Sequence, residues 1–315
     1  MTRGEKESPK TPETVLKEAG FDVSEKCYSR PSCFDYAARK TEKVILIKTH
    51  HDIAHLSPND FKALKTISET MPASSIILSE TTREKPLEDD TVYTRYGVLA
   101  ITPQTFESII LENVHPLIQA GPGGYYVEVD GARIKHGRQL LGYSVGELAE
   151  KARISRRTLY GYEQGMAKAT VSAAYNLVWA LGVPIARPVN IFEKPKTKHK
   201  RFFVSAKRAI ARNRFLRRIF CRLRCNITQV DKAPFDFVIN VPEEKTRIIC
   251  GVADDNKEQT LDRRIDEILS VSRIIKAYPV MITDGQKTVS KDISYIGREQ
   301  FSKIKTAEDL VHVVT

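Results

Sequence analysis

The stretch that most constrains this chain runs from Ser144 to Gly165 and reads SVGELAEKARISRRTLYGYEQG. Ser144 with Glu147 three residues on is a capping box, and it starts a helix. Leu148 and Ala149 fall on the inner face of that helix, with Ala149 small where a second helix must cross closely. Ile154 plugs a tight turn, Ser155 caps the next helix, Leu159 and Tyr162 continue the apolar stripe, and Gly165 supplies a left-handed stop. An amphipathic helix from Thr170 to Leu181 adds Leu177, Val178 and Leu181 to the same core, together with the single Trp179. Asp130 is placed to cap the helix that opens this domain.

Charge decides what such a pair of helices would meet. The net charge is +11 and is unevenly spread. Residues 1–130 hold 15 basic and 20 acidic side chains, residues 131–189 hold nine and three, residues 190–232 hold 14 and two, and residues 233–315 hold 12 and 14. The excess positive charge therefore sits in mid-chain between mildly acidic flanks, where a polyanion would approach. No apolar run reaches the roughly 18–20 residues of a membrane span, and the polar start, MTRGEKESPKTPET, lacks the apolar stretch of a secretion signal. Five cysteines without a CxxC pair suit a reducing compartment, so a soluble cytoplasmic protein is expected.

The flanks read as α/β layers. Pro12 to Gly20 predicts a short amphipathic helix, Val44–Ile47 a buried strand, Ser57–Thr70 a helix with Phe61, Leu64 and Ile67 inward, Ser75–Leu78 and Tyr93–Ile101 further strands, and Gln104–Glu112 a helix. Gly121-Pro122-Gly123-Gly124 has the composition of a hinge, followed by a short strand from Tyr125 to Val129. The last third repeats the pattern of the first. Val44–Glu80 aligns without a gap on Ile248–Asp284 at an offset of 204, and Cys33–Tyr36 matches Pro234–Phe237. Leu16 of the leading helix has its counterpart in Leu216.

From Gly131 to Ala186 the chain resembles the Cro/repressor family of helix-turn-helix domains. Arg138, the S-x-x-E-L-A run at Ser144–Ala149, Ile154-Ser155, Tyr162-Glu163 and Gly165 carry the resemblance, with no insertion. Arg153 departs from it, standing at the turn position usually held by Gly, where a side chain costs on the order of 1 kcal/mol if φ is positive. A repressor-type domain in mid-chain is also similar to archaeal HTH-type transcriptional regulators. The resemblance implies that the helix from Ser155 to Gln164 lies in the major groove. Arg156, Arg157, Thr158 and Tyr160 would then face base edges, and Arg grips guanine O6 and N7 best. It assigns Lys135, Arg138, Ser144, Lys151, Arg153 and Lys168 to phosphates, and implies a homodimer on double-stranded DNA with half-sites about one helical turn apart.

Lys194–Arg224 is a lysine-rich start followed by a helical stripe of Ala206, Ile210, Leu216, Ile219, Phe220 and Leu223. It is expected to track DNA phosphates, Arg217 and Arg218 among its groups; a repeat's leading helix with a solvated face and a membrane-surface helix are the other readings. A hydrophobe-Asp before a strand bearing Lys also resembles restriction-endonuclease-like folds. Asp35 and Lys48 match that pattern, but Leu46 stands at the Glu position; Asp236 matches, but Cys250 and Val252 replace both partners. A Mg²⁺ site without its second carboxylate lacks ligands the ion requires, so degenerate domains without catalytic residues are expected. His50, His51, His55 and Asp52 read as a polar loop, and Cys221 with Cys225 has no second pair to complete a zinc site.

The expected molecule is a multidomain DNA-binding transcriptional regulator, with no enzyme activity, cofactor or metal. An all-α helix-turn-helix domain of about five helices (131–189) lies between two related α/β domains (1–120 and 206–315), with a hinge and short strand at 121–130 and a basic linker at 190–205. A DNA-processing nuclease-like enzyme and a protein-interaction module are the alternatives. No feature identifies an effector.

Overall fold

The computed structural model describes residues 10–193, 225–253, 261–283, 292–304 and 306–314. In chain order, the first part contains α1 (Pro12–Glu18), β1 (Asp22–Val23), β2 (Tyr36–Lys40), β3 (Lys43–Thr49), α2 (Pro58–Thr70), β4 (Ser74–Leu78), β5 (Thr81–Thr82), β6 (Lys85–Pro86), β7 (Thr91–Arg95), β8 (Val98–Ile101), α3 (Pro103–Glu107), β9 (Ile118–Gly121) and β10 (Gly124–Val129). The middle part contains α4 (Gly131–Leu140), α5 (Val145–Lys151), α6 (Arg156–Glu163), β11 (Ala169–Thr170), α7 (Val171–Leu181) and β12 (Ala186–Arg187). The last part contains β13 (Asn226–Gln229), β14 (Phe237–Val241), β15 (Thr246–Val252), α8 (Leu261–Ile275), β16 (Tyr278–Thr283), β17 (Ser294–Gly297), α9 (Arg298–Lys303) and α10 (Ala307–Val314).

These elements group into two compact units that do not follow the expected border at residue 120. Residues 77–191, with residues 10–15 and 50–55, make one unit; residues 16–49 and 56–76 group with the described residues from 192 onward. In this second unit β1, β2, β3 and β4 are neighbours in that order, and β13 to β17 form a sheet in chain order. Val44 to Ile47 are all buried, which is why this strand reads as a continuous apolar run rather than an alternating one. Pro58 sits in the first turn of α2 behind a capping box of Ser57 and Asp60, and Phe61, Leu64 and Ile67 turn inward.

The elements of the two α/β parts coincide along the chain. At an offset of 204 residues α2 falls on α8 and β4 on β16, and at 201 residues β2 falls on β14 end to end. Their mutual contacts are reciprocal. Phe34 and Phe235 are fully buried with ring centroids 6.4 Å apart. Arg39 on β2 donates to the Ile274 carbonyl near the end of α8, and Asn240 at the matching place on β14 donates to the Thr70 carbonyl at the end of α2, over 3.3 Å. The Glu267 contact is one-sided, because Ala63 stands at the matching place on α2. The buried Glu267 carboxylate accepts N–H bonds from Tyr28 at 3.0 Å and Ser29 at 2.8 Å and a bond from the Ser29 hydroxyl at 2.5 Å.

In the other unit, β7 and β8 form a hairpin where one strand was expected, because Tyr96 and Gly97 take positive φ and reverse the chain. β7 runs parallel to β9, and β9 pairs antiparallel with β10 from Gly121–Gly124 to Ile118–Val127. The Gly121–Gly124 segment, a hinge by composition, is therefore the turn of a hairpin, with Gly123 at φ 87°. β10 also pairs with β11 and with β12. The middle domain is accordingly not all-α: four helices, rather than about five, are present among its described residues, and Val127 and Val129 of β10 enter their core. Val178 and Trp179, expected in that core, are 38% and 80% exposed; the inward face of α7 is Ala173, Ala174, Leu177 and Leu181.

One buried carboxylate organises the start of this unit. Asp52 accepts backbone N–H bonds from Ala54 at 2.6 Å, Glu84 at 2.8 Å and Arg83 at 3.1 Å. Arg83 and Glu84 both have positive φ, the backbone of a primed hairpin turn between β5 and β6. The Glu84 N–H above all, against the opposing effect of desolvation, holds the Asp52 carboxyl at about 2. A lowered folded-state value means that its stabilisation is complete above the unfolded value of about 3.9. It disappears as pH falls from about 4 to about 2. The thermal midpoint measured from pH 5 to pH 2 should therefore fall less steeply in Asp52→Ala than in the parent chain.

Candidate nucleic-acid interface

The two helices of the opening stretch form as their caps require. Ser144 Oγ accepts from Glu147 N at 3.2 Å while Glu147 Oε2 accepts from Ser144 N at 2.7 Å, and that N–H lowers the Glu147 carboxyl below its ordinary value. The chain leaves α5 through Arg153 at φ 55°, with Ile154 N bonded back to Ala149 O at 2.9 Å. A non-glycine residue thus holds the left-handed turn, and the turn keeps the backbone that Gly would take. Ser155 caps α6 by accepting from Thr158 N at 3.0 Å, and Gly165 ends it at φ 66°. Gly131 allows α4 to meet the end of α6: a Cβ there would lie 2.4 Å from Tyr162 O.

The candidate base-reading residues are not equivalent. Arg157 is exposed and Tyr160 is 54% exposed, both on the outer side of α6. Arg156 leans over the first turn of α5, where a Cβ on Gly146 would come within 3.0 Å of its Nε. The Thr158 hydroxyl is shared with Ser155 Oγ at 2.7 Å. Among the phosphate candidates Lys135, Ser144 and Arg153 are exposed. Lys151 Nζ sits 5.0 Å from the centroid of Tyr143, and Lys168 bonds Gln119 of β9. Arg217 and Arg218 lie outside the described residues.

Arg138 is a correction. Its side chain is 11% exposed and makes a two-pronged bond to Glu163, Nε to Oε1 at 2.6 Å and Nη2 to Oε2 at 3.0 Å, with Nη1 on Tyr143 O at 3.1 Å. It is a strut between α4 and α6, its guanidinium committed to Glu163 and the Tyr143 carbonyl and not held out toward solvent as the other basic candidates are. Glu163 was legible only as part of the family pattern, because its partner lies 25 residues away.

Of the residues that resemble a nuclease centre, Asp35 and Lys48 come together, while Asp236 meets arginines instead of a lysine. Lys48 Nζ reaches Asp35 Oδ1 at 2.8 Å, and Asp35 Oδ2 accepts Thr49 N and Thr49 Oγ1, both at 2.6 Å. Asp236 accepts Arg264 at 2.6 Å, Arg30 at 2.7 Å and Val252 N at 2.6 Å. Leu46 and Cys250 are buried where a second carboxylate would stand, and burial drives the Cys250 thiol far above its ordinary value. One carboxylate already engaged by a cation and an N–H does not fit a Mg²⁺ ion, which takes oxygen ligands in near-octahedral array. Nor does the His50–His55 loop gather a metal set: Asp52 is committed to backbone N–H groups, and His51 pairs with Glu80 at 2.9 Å. No group of three or more His, Cys, Asp or Glu able to hold a metal occurs among the described residues.

Fold and site together define a helix-turn-helix protein joined to nuclease-like α/β structure. Residues 134–187 match the helix-turn-helix family, and residues 6–116 match the PD-(D/E)XK superfamily domain. A protein of Methanosarcina acetivorans is 30% identical over 95% of this chain and 93% of its own length. One of Methanocella arvoryzae is 32% identical over 86% and 83%, and one of Pyrococcus furiosus is 27% identical over 96% and 95%. All three carry the name "Putative HTH-type transcriptional regulatory protein". The chain belongs to this family of HTH-type transcriptional regulatory proteins. No solved structure matches it, and no helix among the described residues is long and apolar enough to cross a membrane.

The strut gives a direct test of the corrected role. Glu163→Ala leaves a largely buried guanidinium without its carboxylate, and should destabilise the domain by about 3–5 kcal/mol in denaturant unfolding.

Proposed function

We propose that the protein is a sequence-specific transcriptional regulator that binds double-stranded DNA as a cytoplasmic homodimer, inserting α6 into the major groove. The observation that carries this reading is the outer side of α6, where Arg157 and Tyr160 stand exposed on a helix whose both ends are fixed by caps. Arg157 is the base reader, with Tyr160 beside it; Arg156 and Thr158, held by Gly146 and Ser155, set the approach and add contacts. Lys135, Ser144, Lys151, Arg153 and Lys168 are the phosphate contacts of this reading and fix the register without carrying sequence information. The basic residues of 190–232, Arg217 and Arg218 among them, add sequence-independent affinity.

The two α/β parts are a duplicated, degenerate nuclease-like fold that has kept a DNA-associated scaffold and lost the metal chemistry. Matching element lengths and the reciprocal Arg39 and Asn240 bonds support the duplication. The donor sets at Asp35 and Asp236 support the loss.

Selection of bound sequences from random duplexes should enrich one roughly palindromic motif; failure to enrich any motif would remove the claim of specificity. Arg157→Ala should relax preference at one base position, with a cost of about 1–3 kcal/mol on the preferred site. Lys135→Ala should instead weaken all sequences alike and lower the slope of log K against log salt by about one. With Mg²⁺ and duplex, no cleavage is expected; cutting abolished by Asp35→Ala would reinstate an enzyme.

A further inference from the structure

The outward side of α7 is the feature that DNA reading leaves unexplained. Val171, Tyr175, Val178 and Trp179 follow one another at helical spacing and are 39%, 67%, 38% and 80% exposed. Gly137 of α4 lies against Leu181 and Val183, and Leu140 and Val183 are a further 73% and 38% exposed in the same domain. The helix is therefore apolar on both faces. The inner face fills the domain core, and the four outer residues show on the order of 500 Å² of largely apolar surface. A patch of that size marks an interaction surface, and it is comparable with the ~800 Å² that each partner contributes to a stable interface.

Charge identifies the occupant. Residues 169–186 contain no Asp, Glu, Lys or Arg, in a domain that otherwise holds nine basic side chains and three acidic ones. Two copies of such a domain repel one another wherever the basic side chains face each other, and least across an uncharged face. A two-fold interface puts the same patch on both sides, so it must be complementary to itself, which an apolar, uncharged stripe is. A phosphate backbone or an anionic lipid surface would instead select the basic side. We infer that a second copy of this chain docks on the α7 stripe, face to face, with Trp179 and Tyr175 at its centre. This rests on the homodimer proposed above and names the surface that makes it.

Trp179 is the single tryptophan of the chain, so its emission reports this face alone. The test is sedimentation of the full-length protein over a dilution series without DNA, with the fluorescence of each sample. Expected is a mass that doubles as concentration rises, with a blue shift of Trp179 emission over the same range. Tyr175→Lys keeps the reporter; its dimer should dissociate on the order of tenfold or more readily, with emission staying red wherever it is monomeric. Trp179→Lys is the second variant, read by mass alone, and circular dichroism checks both folds. A parent dimer whose emission does not change, or folded variants that dimerise as well as the parent, would place the interface elsewhere while leaving the homodimer intact. Blue emission from the monomer would show that the chain's own residues cover the stripe, and would overturn the inference. A parent chain that stays monomeric at every concentration, and also on a duplex with two copies of the selected half-site, would defeat the homodimer reading and this one together.

Discussion

Strand β10 is the constraint on which the helix-turn-helix part depends. Its first half is bonded to β9, its middle to β11 and its end to β12, while Val127 and Val129 drop into the helical core. A two-residue strand such as β11 or β12 holds nothing by itself, because isolated pairings of this size are marginal in water. Pairing on β10 ties the residues that enter and leave α7 to the strand that precedes α4. The four helices are thus clamped at three points of the chain, and α6 is carried on a β-layer rather than on a tether.

A second theme is the fate of buried and half-buried acids. Glu163 faces a guanidinium, Asp35 a lysine and two threonine donors, Asp236 two arginines and an N–H, Asp52 three N–H groups, and Glu267 two N–H groups and a hydroxyl. A carboxylate taken out of water is costly unless such donors surround it. In a metal-dependent centre two of these acids would leave lone pairs open for an ion. Here Lys48 and Thr49 engage Asp35, and Arg30, Arg264 and the Val252 N–H engage Asp236, so both carboxylates hold loops to strands.

Much of this was legible in the order of residues, and the limits are physical. Capping boxes and glycine stops are local chemistry, so the borders of α2, α5 and α6 follow from the sequence, which leaves open whether Arg153 takes positive φ or the turn is remodelled. The continuous apolar run at Val44–Ile47 and the constant offset between the α/β parts were equally direct. Trp179 was misplaced because α7 is apolar on both sides, and a pattern without a polar face does not say which face turns inward. The strands β11 and β12 are too short for periodicity, and one two-residue turn at Tyr96 and Gly97 divides what alternation alone reads as one strand. Arg138 was assigned to phosphate because a basic residue near a reading helix usually is; its partner Glu163 becomes visible only once α4 and α6 cross. Likewise, Lys168 meets Gln119 across 49 residues, a distance at which the sequence supplies no pairing rule.

The bonds from Arg39 to Ile274 and from Asn240 to Thr70 join parts of the chain some 170 to 235 residues apart. Because both ends belong to one polypeptide, each finds the other at an effective concentration set by the intervening chain, not by how many molecules are present. That association survives any dilution the folded chain survives. The abundance of the protein in its cell therefore cannot tune it, and whatever responds to abundance must lie between separate molecules.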